Sequence, residues 1–171
     1  MTGASGGIGS AIARGLCHQG ATLLLAGRNK EALDLLAREL GGRTQVITAD
    51  LSDPVAADAM LVEAMDAIGG IDILVNNAGI TLDNLSIRLT QENWKKVLDI
   101  NLTSTFLMCK FVIKKMLKKK YGKIINITSI VGHTGNLGQA NYAASKAGII
   151  AFSKTLAIEY AKKNININCV S

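Results

Sequence analysis

Tyr142 and Lys146, four residues apart, are the pair with the clearest chemical use in this 171-residue sequence. Both fall in a stretch of helical character, where positions i and i+4 share a face. A tyrosine phenol ordinarily titrates at about 10, which makes it a poor proton source or sink at neutral pH. A neighbouring ammonium favours the phenolate, so the pair suits a tuned acid/base. Tyr-x-x-x-Lys alone is a weak signal, because the two residues often fall this way by chance. Ser129 ends the apolar run 123–128, and its hydroxyl could donate to a carbonyl oxygen that the tyrosine also meets. Asn101 stands inside a long helical stretch, where asparagine is an unfavoured choice. Its plain reading is a polar position on the exposed face.

A second set of residues suits a phosphate. Residues 2–9 read T-G-A-S-G-G-I-G, which spaces Gly3, Gly7 and Gly9 as G-x-x-x-G-x-G. Glycine lets a backbone turn sharply and approach a pyrophosphate, and the helical stretch 10–19 would face it with its N-terminus. A merely structural glycine-rich turn is the alternative. At Ala26-Gly27-Arg28-Asn29, glycine replaces the acid that commonly takes the ribose hydroxyls of NAD, and Arg28 supplies a cation for a 2′-phosphate. That favours NADP(H) unless Arg28 is an ordinary exposed residue. Asp50-Leu51 and Asn76-Asn77-Ala78-Gly79 also sit where strand ends should face a cofactor. Asn77 has a structural alternative, satisfying neighbouring strand backbone.

Apolar strands alternating with helices must carry these residues. Strands are expected at 21–26, 46–49, 71–75, 123–128 and 165–170, and helices at 30–40, 54–68, 91–118 and 140–163. The pattern implies an α/β fold: a single-domain, doubly wound parallel sheet of Rossmann type over residues 1–171. Both ends read as incomplete. The glycine turn starts directly after Met1, with no residue left for the strand that should feed it, and the chain stops at Ser171 as a strand finishes.

Composition narrows the function classes. No apolar run approaches a membrane span, and no secretory signal is visible. Cys17, Cys109 and Cys169 have no metal or redox spacing, which suits reduced thiols in a cytoplasm and no metal. The net charge of +6 gathers at Lys114, Lys115, Lys118, Lys119, Lys120 and Lys123. Such a patch attracts acidic partners, but 4% aromatic residues weaken a case for nucleic acid. A solvated lysine face at a helix end is the alternative.

Taken together, Thr2-Gly3-x-x-x-Gly7-x-Gly9, Asn76-Asn77-Ala78-Gly79, Asn101, Ser129 and Tyr142-x-x-x-Lys146 resemble the short-chain dehydrogenase/reductase family along nearly the whole chain. The resemblance implies that Tyr142 is the general acid/base and that Lys146 lowers its pKa and holds the nicotinamide ribose. It makes Ser129 the group that polarises the carbonyl, and Asn101 the holder of a relay water. It assigns the cofactor to Thr2, Gly3, Ser5, Gly7, Ile8, Gly9, Arg28, Asp50, Leu51, Asn77, Ala78 and Gly79 with Tyr142 and Lys146, and the substrate to Ser129, Gln139 and Tyr142.

Residues 76–85, Trp94, Asn101-Leu102, 135–146 and Gly148 are most similar to members that reduce 3-oxoacyl groups on acyl carrier protein with NADPH in fatty-acid synthesis. Those members imply homotetramers and carrier docking at Lys120 and Lys163. Gly6 departs from them, standing where many NADPH users carry a basic residue. The resemblance leaves two alternatives: reduction of acetoacetyl-CoA or another small carbonyl, and a cofactor-binding protein without turnover.

Overall fold

The computed structural model describes residues 1–51, 62, 64 and 68–171. Five strands run parallel: β1 (Leu23–Gly27), β2 (Thr44–Thr48), β3 (Ile73–Asn76), β4 (Gly122–Ile127) and β5 (Ile165–Val170). β1 pairs with β2, and β4 pairs on either side with β3 and β5. Strand ends follow the register of the partner rather than local hydrophobicity. Polar Thr44 and Gln45 belong to β2 because they face Leu23 and Leu24 of β1, so this strand starts earlier than the apolar run at 46–49 suggests.

The two groups of strands meet at the start of the chain. Thr2 bridges Ala26 in parallel, and its N–H donates to the Val75 carbonyl at 3.0 Å. Ala26 N–H donates to the Met1 carbonyl at 2.9 Å. Only Met1 and Thr2 precede the glycine turn, and they pair as single rungs rather than as a strand. One residue suffices for a ladder rung, and Met1 and Thr2 supply the last rungs between β1 and β3. The lateral order is β2-β1-Thr2-β3-β4-β5.

Six helices are described: α1 (Gly7–His18), α2 (Lys30–Leu40), α3 (Gln91–Leu98), α4 (Ser104–Lys119), α5 (Val131–Thr134) and α6 (Ala140–Tyr160). The helix expected over 54–68 falls almost wholly outside the described residues. Asn29 and Thr90 cap α2 and α3, accepting from the N–H groups of Ala32 and Asn93. α1 begins at Gly7, inside the glycine turn, rather than at residue 10. α6 ends at Tyr160 and tightens into a 3-10 turn, Ala161–Lys163.

The alternating side chains of β1 send Leu23 and Leu25 to one face and Ala26 to the other. Leu23 and Leu25 pack with Ala13, Leu33 and Leu36 of α1 and α2. On the opposite face Met108, Val112, Ile113 and Met116 of α4 pack with Leu74, Ile124 and Ile167, and Phe152 and Leu156 of α6 join them. Helices cover both faces, as a doubly wound sheet requires.

Candidate active site

The cofactor cradle lies where Thr2 leaves the sheet. Gly3 has φ +63°, a conformation that side chains disfavour. A Cβ on Gly9 would stand 2.1 Å from the Gly3 carbonyl oxygen, so α1 can start this close to the turn only with glycine there. The Thr2 hydroxyl accepts from the N–H groups of Asn77 and Ala78, at 3.1 and 3.2 Å. The Asn77 amide donates to the Gly3 carbonyl at 3.0 Å. The glycine turn and the segment after β3 are thus locked together.

Between them and the end of β1 opens a cavity of about 450 Å³, lined by Gly3, Ser5, Gly7, Ile8, Gly9, Arg28, Asp50, Leu51, Asn77, Ala78 and Gly79. Of the residues assigned to the cofactor, only Thr2, Tyr142 and Lys146 do not line it, and Thr2 is buried beneath. A Cβ on Gly7 would meet nothing within 4 Å, which leaves the first turn of α1 open to this space. Open backbone N–H groups at a helix start, next to glycines where side chains would intrude, fit a dinucleotide pyrophosphate.

The chemical side chains gather beyond β3 and β4. The rod from Gln91 to Lys119 is not one regular helix: a π-turn, Asp99–Thr103, separates α3 from α4. The hydroxyls of Ser104 and Thr105 bond back to the carbonyls of Ile100 and Asn101, at 2.5 and 2.6 Å, and satisfy groups in the widened turn. Asn101 is fully buried, so the reading of it as an exposed polar position is corrected. Its Oδ1 accepts from Ile80 N–H at 2.8 Å. Its Nδ2 donates to the Ile80 carbonyl at 3.0 Å and to Ser145 Oγ at 3.1 Å. Ser145 Oγ in turn donates to the Tyr142 carbonyl at 2.8 Å. Removing the Asn101 amide would strand buried polar groups, at about 1–3 kcal/mol each.

Lys146 is buried, and its Nζ donates to the Ile127 carbonyl at 2.8 Å, two residues before Ser129. The same Nζ lies 5.6 Å from the Tyr142 ring centroid. A Cβ on Gly79 would come within 3.3 Å of Asn101 Oδ1 and 3.6 Å of Lys146 Nζ, so the cradle and this cluster share a wall. Burial pulls the Lys146 ammonium down to about 8. Ser129 Oγ accepts from Val131 N–H at 3.2 Å, at the start of α5.

Two groups of expected residues are placed differently. Both polar ends of Gln139 are engaged: Nε2 donates to Asp83 at 2.9 Å, and Oε1 accepts from Asn136 at 2.9 Å. The corners that carry Lys120 and Lys163 adjoin, because Asn164 Nδ2 donates to the Lys120 carbonyl at 3.2 Å. They sit where β4 and β5 begin, whereas Ser129 follows the end of β4. A strand of this length sets the two apart by about 20 Å.

Sequence reasoning missed Ser145, whose only signal was its place three residues after Tyr142. It also missed a buried chain in which Asn76 donates to Asn126 and Asn126 to Ser153, each at 2.8 Å. Cys109 adjoins this chain, and burial pushes its thiol up to about 12, which keeps it protonated.

A parallel sheet with a glycine cradle before β1, and a buried lysine beside a tyrosine in the crossover from β4 to β5, fits a dinucleotide-dependent oxidoreductase. The family model described as short chain dehydrogenase matches residues 1–171, and the chain belongs to that family, whose members use a nicotinamide cofactor. It is 51% identical over 171 residues to "Nodulation protein G" of Rhizobium sp. (strain N33), covering 100% of this chain and 70% of that protein. It is 43% identical to a 3-oxoacyl-[acyl-carrier-protein] reductase of Vibrio cholerae, with the same coverage of both chains. To the protein of that name from Rickettsia typhi it is 46% identical, covering 100% of this chain and 69% of the relative. Among the described residues, no helix is long and apolar enough to cross a membrane.

Proposed function

We propose that this protein reduces 3-oxoacyl groups carried on acyl carrier protein to 3-hydroxyacyl groups, using NADPH. The observation that carries the reading is the junction of Tyr142, Lys146 and Asn101 against Gly79 at the cradle wall. That proximity supports reading Tyr142 and Lys146 as the acid/base pair beside the cofactor. The relatives named as 3-oxoacyl-[acyl-carrier-protein] reductases support the substrate, and Arg28 on the cavity rim supports the 2′-phosphate.

Gly3, Ser5, Gly7, Ile8 and Gly9 would hold the pyrophosphate, Asp50 and Leu51 the adenine end, and Asn77, Ala78 and Gly79 the nicotinamide end. When bound, the cofactor supplies the hydride that reaches the keto carbon. Tyr142 gives its hydroxyl proton to the keto oxygen, and Ser129 donates a hydrogen bond to the same oxygen. The Lys146 ammonium stabilises the phenolate left behind. The Asn101 carbonyl accepts from Thr105 and keeps a second lone pair for a relay water. Gln139, held by Asp83 and Asn136, shapes the substrate side. The three unpaired cysteines suit a reducing cytoplasm.

A second reading keeps the chemistry and changes the substrate to a CoA thioester or small carbonyl. One observation favours it: the lysines expected to dock a carrier lie at the end of the sheet away from Ser129. Steady-state assays with NADPH, carrier-bound acetoacetate and acetoacetyl-CoA separate the two. A carrier-bound substrate with the higher kcat/KM supports the first reading, and equal or lower kcat/KM overturns it.

A further inference from the structure

The segment after β3 carries no strand or helix before the 3-10 turn Ser86–Arg88, yet it is held at Ile80, Leu82, Asp83 and Asn84. Asn101 clips Ile80. Asn141 Nδ2 donates to the Leu82 carbonyl at 3.0 Å, and Gln139 Nε2 donates to Asp83 at 2.9 Å. Asn84 N–H donates to the Gly138 carbonyl at 2.8 Å. One series climbs from Leu82 to Asn84 while its partners descend from Asn141 to Gly138. The segment therefore runs antiparallel to the entry of α6.

That entry is capped from inside the helix. Gln139, at the N-cap position, makes no side-chain cap bond. The first N–H groups of a helix have no acceptor within it. Tyr142 N–H, in the first turn, finds one in Asn141 Oδ1 at 2.8 Å. Asn141 is fully buried, and both ends of its amide are used: the oxygen accepts from Tyr142 and the nitrogen donates to Leu82.

The backbone of Tyr142 is thus tied twice to one segment. On its N–H side a single side chain, Asn141, reaches Leu82. On its carbonyl side Ser145 and then Asn101 reach Ile80. Ile80 and Leu82 follow Gly79, which shares the cradle wall. This ring of hydrogen bonds joins the backbone that bears the phenol to the backbone assigned to the nicotinamide end.

We infer that Asn141 is a positioning residue: its amide fixes where Tyr142 stands against the cofactor side of the site by tying the first turn of α6 to Leu82. The inference rests on Tyr142 as the proton donor, and it is independent of whether the substrate is carrier-bound. A side-chain amide suits the place because it offers a donor and an acceptor at fixed spacing. An ionised carboxylate of the same shape keeps the acceptor for Tyr142 N–H and loses the donor for the Leu82 carbonyl.

Asn141→Asp in the full-length protein, assayed with a small acyl thioester, tests this. At neutral pH, kcat per NADPH-binding site should fall about 10- to 100-fold, with NADPH affinity held and KM little changed. Burial raises the pKa of a carboxyl, and a protonated carboxyl regains a donor. The ratio of variant to wild-type kcat should therefore climb at least about threefold between about pH 8 and about pH 6. Asn141→Ala, with no group to protonate, should lose a similar factor and show a flat ratio. In Asn141→Asp, a kcat per site within about twofold of wild type, or a flat ratio, would overturn the inference. So would a loss of activity matched by a loss of NADPH sites, since mere support of the fold changes only the number of competent sites. Tyr142→Phe is assayed alongside. If it keeps near-normal turnover, the acid/base reading itself has failed. If it is inactive while Asn141→Asp is not, the inference alone fails.

Discussion

Around Gly3 and Gly9 the site is made by side chains that are missing, and around Asn101 and Lys146 by side chains that are buried. In the cradle, a Cβ would collide with backbone, and the ligand surface is peptide N–H. In the candidate catalytic cluster, Asn101, Ser145 and Lys146 are all buried, and each is held by a named acceptor or donor. At Gly3 and Gly9 the first region tolerates no added atom. The second tolerates no lost polar partner. The two kinds of site therefore fail in different ways.

Tyr142→Phe should separate them most widely. The change leaves the cradle intact, so cofactor affinity should hold while turnover drops by roughly 10²- to 10⁴-fold. Near-normal turnover in the folded variant would end the acid/base assignment. Gly9→Ala should do the reverse. Its new methyl must push α1 off the Gly3 carbonyl, so cofactor affinity should fall by at least about tenfold in a binding titration. The Tyr142 environment, followed by ring proton shifts, should barely move. A Gly9→Ala protein that binds normally would show that the cradle has slack.

Cofactor choice sharpens the comparison from the cradle side. Arg28→Ala should weaken NADPH by about tenfold and NADH much less, since a charge-assisted contact to the 2′-phosphate is lost. Equal losses would remove Arg28 from phosphate recognition. Gly6→Arg should instead strengthen NADPH. Gly6 has φ −79°, and an added Cβ would find its nearest neighbour at 3.6 Å, so there is room for the change.

The smallest effect concerns the catalytic side. Folding lowers the Lys146 pKa from 10.5 to about 8, so between these values the unfolded chain holds a proton that the folded one has released. Stability from this group therefore rises with pH over that window, by up to about 1.4 kcal/mol per pH unit. Urea midpoints of wild type should gain on those of Lys146→Met between pH 8 and 10. Parallel curves would mean that Lys146 titrates unperturbed.

The same contrast decides what could be read from sequence. Gly3, Gly7 and Gly9 announce themselves because backbone needs are local, and neighbouring positions express them. Tyr142 and Lys146 were legible because one helical turn joins them. Asn101 was legible as an oddity, but its burial was not, since its partners, Ile80 and Ser145, are 21 and 44 residues away. The polar start of β2 was missed because pairing with Leu23 and Leu24, not its own composition, makes it a strand. Lys120 and Lys163 were linked correctly to the elements bearing Ser129 and Tyr142. A strand or helix fixes direction as well as distance, however, and both lysines lie at the far ends.

The π-turn at Asp99–Thr103 also shifts phase. The buried residues of the rod advance in steps of four: Val97, Asn101, Thr105, Cys109 and Ile113 in one row, and Ile100, Ser104, Met108, Val112 and Met116 in another. A regular helix turns once in 3.6 residues, so steps of four rotate away from the core by about 40° each. The wider turn absorbs part of that rotation where it would otherwise carry Asn101 away from Ile80. Length and angle are thus coupled in this segment. Deleting a single residue between Asp99 and Thr103 would restore an ordinary helix and leave α4 on the sheet. The scaffold could accept such a deletion, while the amide that clips Ile80 would point elsewhere. The clip between Asn101 and Ile80 therefore depends on one residue more than the helix needs.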